Sequence, residues 1–121
     1  DYDLITIGGG SGGVRASRVA AGLGARVALI EARELGGTCV NAGCIPKKLL
    51  SYAAHYSRDF ADAAGFGWSV GPRACDWARL IAAKDGEIAR LNGVYARLLA
   101  EAGVEIVRGR GVLAGAHAVE V

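Results

Sequence analysis

From Leu4 to Ile7 the chain reads Leu-Ile-Thr-Ile, apolar or β-branched at every position, and glycines at 8 to 10 close it. An unbroken apolar run of this length predicts a strand buried on both faces, as in a parallel sheet. The period then changes. Val14, Ser17, Ala20, Ala21 and Leu23 fall near helical spacing, and the pattern stops at Gly22 and Gly24. Residues 26–31, RVALIE, with an apolar run from Val27 to Ile30, predict a second buried strand. Residues 1–31 therefore predict a β-α-β unit.

Helical patterning resumes from about Thr38 to Ala64, with Pro46 inside it, so a kink or break is expected at the proline. GFGWSVGPRAC is marked as a connection by its glycines and proline. Asp76 is a candidate N-cap for a helix running to about Ala102. Ile81, Ile88, Leu91, Tyr95 and Leu98 fall on one face of that helix, and Gly103 follows as a stop. VEIVRG predicts a third parallel strand. GVLAGAHAVEV predicts two short strands around Gly115, the start of a β-meander. The fold class is α/β.

Composition narrows the picture only in part. Hydrophobic residues make up 52% and charged residues 21% of 121 positions, enough apolar material for a one-domain core. The net charge of +2 is scattered, and Lys47-Lys48 is too small a cluster for a nucleic-acid footprint. No apolar run reaches the roughly 18 residues of a membrane span. Three cysteines are too few for a disulfide-stapled secreted scaffold. The first residue is Asp1 and the last, Val121, falls inside an apolar alternation, which reads as a segment of a longer protein. A missing targeting signal therefore carries no weight.

GGGSGG fits G-x-G-x-x-G as Gly8, Gly10 and Gly13. It follows a predicted strand and opens a predicted helix, and Glu31 ends the next strand 18 residues after Gly13. That is the context of a dinucleotide-binding loop. Gly8 permits the tight turn, Gly10 lets backbone approach a pyrophosphate, and Gly13 lets helix and strand pack closely. The helix N-terminus suits the pyrophosphate charge, and Glu31 can accept two hydrogen bonds from a ribose diol. A plain glycine turn beside a surface glutamate is the bland alternative. The motif does not distinguish FAD from NAD.

Cys39 and Cys44 lie five positions apart in GGTCVNAGCIPKK. A structural zinc site needs four ligands in close pairs, and His55, Cys75 and His117 form no second pair, so no metal is expected. A plant-type iron–sulfur run would need a third cysteine where Lys47 stands. A cross-link between the two would close a short loop and stabilise by only about 2 kcal/mol. Inside one continuous helix it would also be geometrically awkward. A redox pair fits better. Both cysteines fall near the first turn of the predicted helix, where the dipole and Lys47 and Lys48 favour a thiolate.

The block GGTCVNAGCIPKK, behind IGGGSGG and LIE, resembles the flavin-dependent pyridine nucleotide–disulfide reductases. CIPKK resembles the branch acting on glutathione or trypanothione more than the lipoamide and mercuric branches. The resemblance spans essentially the whole chain. It implies a Rossmann-like βαβ FAD-binding fold whose parallel sheet and β-meander are incomplete here. Residues 1–121 would be the N-terminal part of the FAD domain, without the NADPH and interface domains. Gly8, Gly10, Ser11, Gly12 and Gly13 would contact the FAD phosphates, and Glu31 the adenosine ribose. Gly37, Thr38 and Cys39 would lie along the flavin side. Cys44 would be the charge-transfer thiolate, Cys39 the interchange thiol, and Lys47 a cation near flavin N5. Electrons would pass from NADPH to FAD, then to Cys39–Cys44, then to glutathione disulfide.

The resemblance also places Ser11, Arg18 and Tyr95 at the disulfide substrate. Arg15 stands where the polyamine-linked branch has a glutamate, so two arginines suit a substrate with free carboxylates. It further implies a cytoplasmic homodimer with an acid/base pair from the other subunit. Two departures are Ala42, in place of a common valine, and Leu98, in place of a polar residue.

Other readings stay open. Arg15 and Arg18 also fit a solvated helix face, and Tyr95 a core position. His55 reads as a surface residue, Cys75 as a small packing residue, and Trp68 and Trp77 as packing anchors. Competing functions are a reductase of another small disulfide, trypanothione-like or lipoamide, and a non-catalytic dinucleotide-binding redox sensor.

Overall fold

Leu4–Ile7 forms strand β1 and Val27–Glu31 forms β2, and helix α1, Ser11–Gly22, joins them. The computed structural model describes residues 1–121 and continues with α2 (Gly37–Asn41), α3 (Cys44–Asp62) and α4 (Trp77–Glu101). Strands β3 (Glu105–Arg108), β4 (Val112–Gly115) and β5 (Ala118–Glu120) follow. A 3-10 turn at Ala63–Phe66 extends α3.

The first three strands form one parallel sheet in the order β1-β2-β3. Leu4 pairs with Val27 and Ile7 with Ile30, and on the other side Ala28 pairs with Glu105 and Glu31 with Arg108. The central strand explains the apolar run: Val27, Ala28, Leu29 and Ile30 are all buried. β4 and β5 form a separate antiparallel pair, irregular between Leu113 and Gly115. No helix is long and apolar enough to cross a membrane.

Val14 of α1, Val27 and Leu29 of β2, Leu35, Leu99 of α4 and Val104 form the core. Tyr95, Ala96 and Ile106 pack against it. Twelve residues are buried, a thin core for a chain of this length. Ser17 is the one buried polar side chain, and its hydroxyl donates to Thr6 Oγ1 at 2.9 Å. That bond satisfies a group that would otherwise destabilise the helix–sheet packing.

Several expectations change. The single helix over 38–64 is two helices, and the break lies at Ala42 and Gly43, upstream of Pro46. Gly43 leaves helical geometry at φ −130° and ψ −109°, and a Cβ there would meet the Thr38 carbonyl oxygen at 2.9 Å. Pro46 is the third residue of α3, where its missing N–H has no intrahelical acceptor to lose. On α4, Leu98 is only half-buried, and its neighbour Leu99 is the fully buried anchor. Leu23 falls beyond the end of α1 and is exposed.

Trp68 and Trp77 are not packing anchors, being 72% and 62% exposed, and Cys75 is exposed too. The connection at 67–76 runs over the surface with no element above it. Trp77 and Cys75 border an open apolar groove between α3 and the start of α4, together with Tyr52 and Tyr56. His55 is exposed on α3, as expected. At the cap positions sequence and structure agree: Asp76 accepts from the Arg79 N–H at 3.0 Å, and Gly103 turns the chain out of α4.

Candidate functional site

The glycine loop joins β1 to α1. Gly8 has φ +105°, a turn that side-chain-bearing residues rarely adopt. Gly13 is excluded from any substitution by space, because a Cβ there would lie 1.9 Å from the Gly8 carbonyl oxygen. This is the close helix–strand packing expected of the third motif glycine. No side chain caps α1, and no acidic residue occupies its first turn. The amides of Ser11, Gly12 and Gly13 therefore present an uncapped helix N-terminus, suited to an anion.

Glu31, at the end of β2, is already engaged. One carboxylate oxygen accepts from the Gly9 N–H at 2.6 Å and the other from the Arg33 N–H at 2.7 Å. Each oxygen keeps a further lone pair. Glu31 is thus fixed beside the glycine loop rather than free on the surface.

Gly36 and Gly37, at φ +99° and +63°, turn the chain into α2. A Cβ on Gly37 would lie 2.7 Å from Gly10 Cα. The Gly36 N–H also donates to the Gly9 carbonyl at 2.8 Å. The start of α2 is therefore seated on the glycine loop, backbone against backbone. Gly10, expected to admit a pyrophosphate, also admits α2.

Two residues further along α2 is Cys39, half-buried, and Cys44 begins α3. They are joined by a disulfide, with Cα atoms 4.6 Å apart. The break at Ala42 and Gly43 removes the difficulty of a bridge inside one helix. It also separates the two sulfurs electrostatically. The α3 N-terminus acts on Cys44, whereas Cys39 sits in a five-residue helix with little dipole of its own. Thr38 is exposed beside Cys39. Lys47 lies three residues after Cys44 on the same face of α3 and is exposed. Lys48 turns elsewhere, with its ammonium 5.0 Å from the Tyr52 ring centroid.

Arg15 and Arg18 of α1 share a groove with Tyr95 and Leu98 of α4. Ser11, Val14, Leu91 and Val94 complete its walls, and its volume is about 380 Å³. Both arginines are exposed and neither has a carboxylate partner within ion-pair distance. Tyr95 packs on the core and also borders the groove, so its two readings are compatible.

Sequence reasoning missed two asparagines. Asn92 of α4 donates from Nδ2 to the Leu35 carbonyl at 2.7 Å and to Asn41 Oδ1 at 2.9 Å. Asn41 of α2 donates from its own Nδ2 to the Gly37 and Leu35 carbonyls at 2.9 and 3.1 Å. For Asn92 the available signal was a polar residue at helical spacing between Ile88 and Tyr95 on the apolar face of α4; the five residues of α2 carry no stripe to mark Asn41.

A βαβ unit with a glycine loop, and a dithiol helix seated on that loop, is a combination with known relatives. A family model described as pyridine nucleotide-disulphide oxidoreductase matches residues 2–121. The chain belongs to that family. It is 59% identical over its whole length to a glutathione reductase of Burkholderia cepacia, covering 27% of that protein. It is 49% identical over its whole length to a glutathione reductase of Nostoc sp., covering 26% of it. It is 47% identical to the chloroplastic/mitochondrial glutathione reductase of Pisum sativum, again along the whole chain and over 24% of that protein. The chain thus spans about a quarter of the length of these curated relatives.

Proposed function

We propose that residues 1–121 form the N-terminal part of the FAD-binding domain of an NADPH-dependent reductase of glutathione disulfide, acting as a cytoplasmic homodimer. The observation that carries this reading is the Cys39–Cys44 disulfide, whose Cys39 lies on a helix seated against the glycine loop through Gly10 and Gly37. A cofactor held by that loop would lie next to the dithiol, a two-electron donor beside a two-electron acceptor.

The residues fit FAD. Gly8, Gly10, Ser11, Gly12 and Gly13 would hold its phosphates on the uncapped α1 N-terminus. Glu31 would hold the adenosine ribose with its remaining lone pairs. Gly37, Thr38 and Cys39 would border the flavin, and Lys47 is the candidate cation for its anionic reduced form. Bound FAD supplies the route by which an electron pair from NADPH reaches the Cys39–Cys44 disulfide.

Once reduced, the Cys39 thiolate attacks one sulfur of glutathione disulfide. The substrate S–S bond breaks, a mixed disulfide forms on Cys39, and the first glutathione leaves and takes up a proton. The Cys44 thiolate then attacks Cys39 Sγ. The mixed disulfide breaks, the second glutathione leaves with a second proton, and Cys39–Cys44 is restored. Two electrons have passed from the dithiol to the substrate. Cys44, at the α3 N-terminus near Lys47, is the thiol whose anion the helix favours. The groove between α1 and α4 would receive the substrate, with Arg15 and Arg18 binding its carboxylates and Ser11 and Tyr95 on the walls.

The test uses the full-length protein carrying this segment. It should contain FAD after purification, oxidise NADPH only when glutathione disulfide is added, and prefer it over trypanothione disulfide and lipoamide. A flavin-free protein, or one indifferent to glutathione disulfide, would end this reading.

A further inference from the structure

Helix α2 has five residues, far below the length at which a helix persists unaided. It nevertheless carries Cys39, whose attack on a disulfide needs a defined direction. At its first residue, α2 rests on Gly10. Its far end, which bears Asn41, is tied to α4. Asn92 Nδ2 donates both to Asn41 Oδ1 at 2.9 Å and to the Leu35 carbonyl at 2.7 Å, on the chain leading into α2. Asn41 Nδ2 closes the arrangement onto Leu35 and Gly37. Asn92 precedes Tyr95 by one helical turn, and Tyr95 borders the groove shared with Arg15 and Arg18.

We infer that Asn41 and Asn92 are positioning residues: their amide bridge sets the direction of Cys39 relative to the α1–α4 groove and so governs thiol–disulfide interchange. The inference rests on the reductase reading above, but it concerns groups outside the reacting atoms. Attack by a thiolate requires its sulfur in line with the substrate S–S bond, and small misplacements are costly. Alkylation by a small uncharged reagent has no such demand. Loosening the bridge should therefore affect the two reactions differently.

The experiment compares the full-length flavoprotein with Asn92→Ala, Asn41→Ala and the double variant. FAD content and the rate at which NADPH reduces the enzyme are expected to stay unchanged. kcat with glutathione disulfide should fall about tenfold or more, with KM moving less. Alkylation of Cys39 by iodoacetamide in the reduced protein should hold its rate or accelerate. The double variant should lose less than the product of the two single effects, because the Asn92–Asn41 bond is lost in either case while each single variant keeps the other asparagine's backbone bonds. Should Asn92→Ala fail to retain FAD, Asn92→Asp keeps the shape, replaces the donor with an acceptor, and is read by the same criteria.

A kcat within twofold of wild type in these variants would overturn the inference. So would a fall in kcat matched by equal losses in NADPH reduction and alkylation, which marks general damage. If the wild type reduces no glutathione disulfide, the functional reading fails separately. The bridge is then still tested by the rate at which the chemically reduced protein reacts with 5,5′-dithiobis(2-nitrobenzoic acid), where loss of Asn92 must again slow Cys39.

Discussion

Gly10 and Gly37 meet backbone to backbone: a Cβ on Gly37 would stand 2.7 Å from Gly10 Cα, at a φ of +63°. The loop that would carry the cofactor and the helix that carries Cys39 are one packed unit. Gly37→Ala should therefore disturb both. The left-handed backbone costs about 1–2 kcal/mol with a side chain, and forcing the two segments apart adds about 1–3 kcal/mol. The expected result in the full-length protein is a lower flavin-to-protein ratio together with slower disulfide reduction. Absorbance at the flavin maximum and a steady-state assay check it. Normal flavin content with normal turnover would show that the contact is dispensable.

The two cysteines should separate spectroscopically. Cys39→Ser leaves the Cys44 thiolate at the α3 N-terminus beside oxidised flavin, and a long-wavelength charge-transfer band is expected. Cys44→Ser should lack the band. Neither variant should reduce a disulfide. Finding the band in Cys44→Ser and not in Cys39→Ser would exchange the two roles.

Arg18→Glu should raise KM for glutathione disulfide while flavin content holds. Losing a charge-assisted bond costs about 1.5–3 kcal/mol in a desolvated site, which is about ten- to a hundredfold in kcat/KM. Arg18 is exposed, so a smaller loss is expected, at most about fivefold. Adding Arg15→Glu should shift preference towards cationic disulfides. The check is kcat/KM for both substrates in each variant, and changes below about twofold would return both arginines to ordinary surface charges.

Residues 1–121 alone should show no NADPH-dependent turnover at any FAD concentration. They contain one nucleotide-binding βαβ unit, assigned above to FAD, and no second one for NADPH. Glutathione-disulfide-dependent NADPH oxidation by the 121-residue chain would contradict this.

The elements of the first 31 residues were legible because strand, turn and helix there are each encoded by neighbouring positions, but the burial expected of β1 was not: it lies at the sheet edge, none of its residues is buried, and Ile7 is 47% exposed. Gly8 and Gly13 carry their reasons in the motif. The break before Cys44 was misplaced because Pro46 is the stronger local signal, whereas Gly43 acts through a contact with Thr38 that only the folded chain contains. Trp68 and Trp77 were misread because aromatic composition does not tell whether another element covers a loop. Asn41 and Asn92 are 51 residues apart, and nothing in either local stretch pairs them.

The interruption at Ala42 and Gly43 has a further consequence. Since Cys39 and Cys44 belong to different helices, making or breaking their bond leaves both backbone hydrogen-bond ladders whole. A cross-link within one ladder would tie each electron transfer to the winding of a helix. Here the bond lies between two ladders rather than within one, so the turns of α2 and α3 do not have to wind or unwind for the sulfurs to meet.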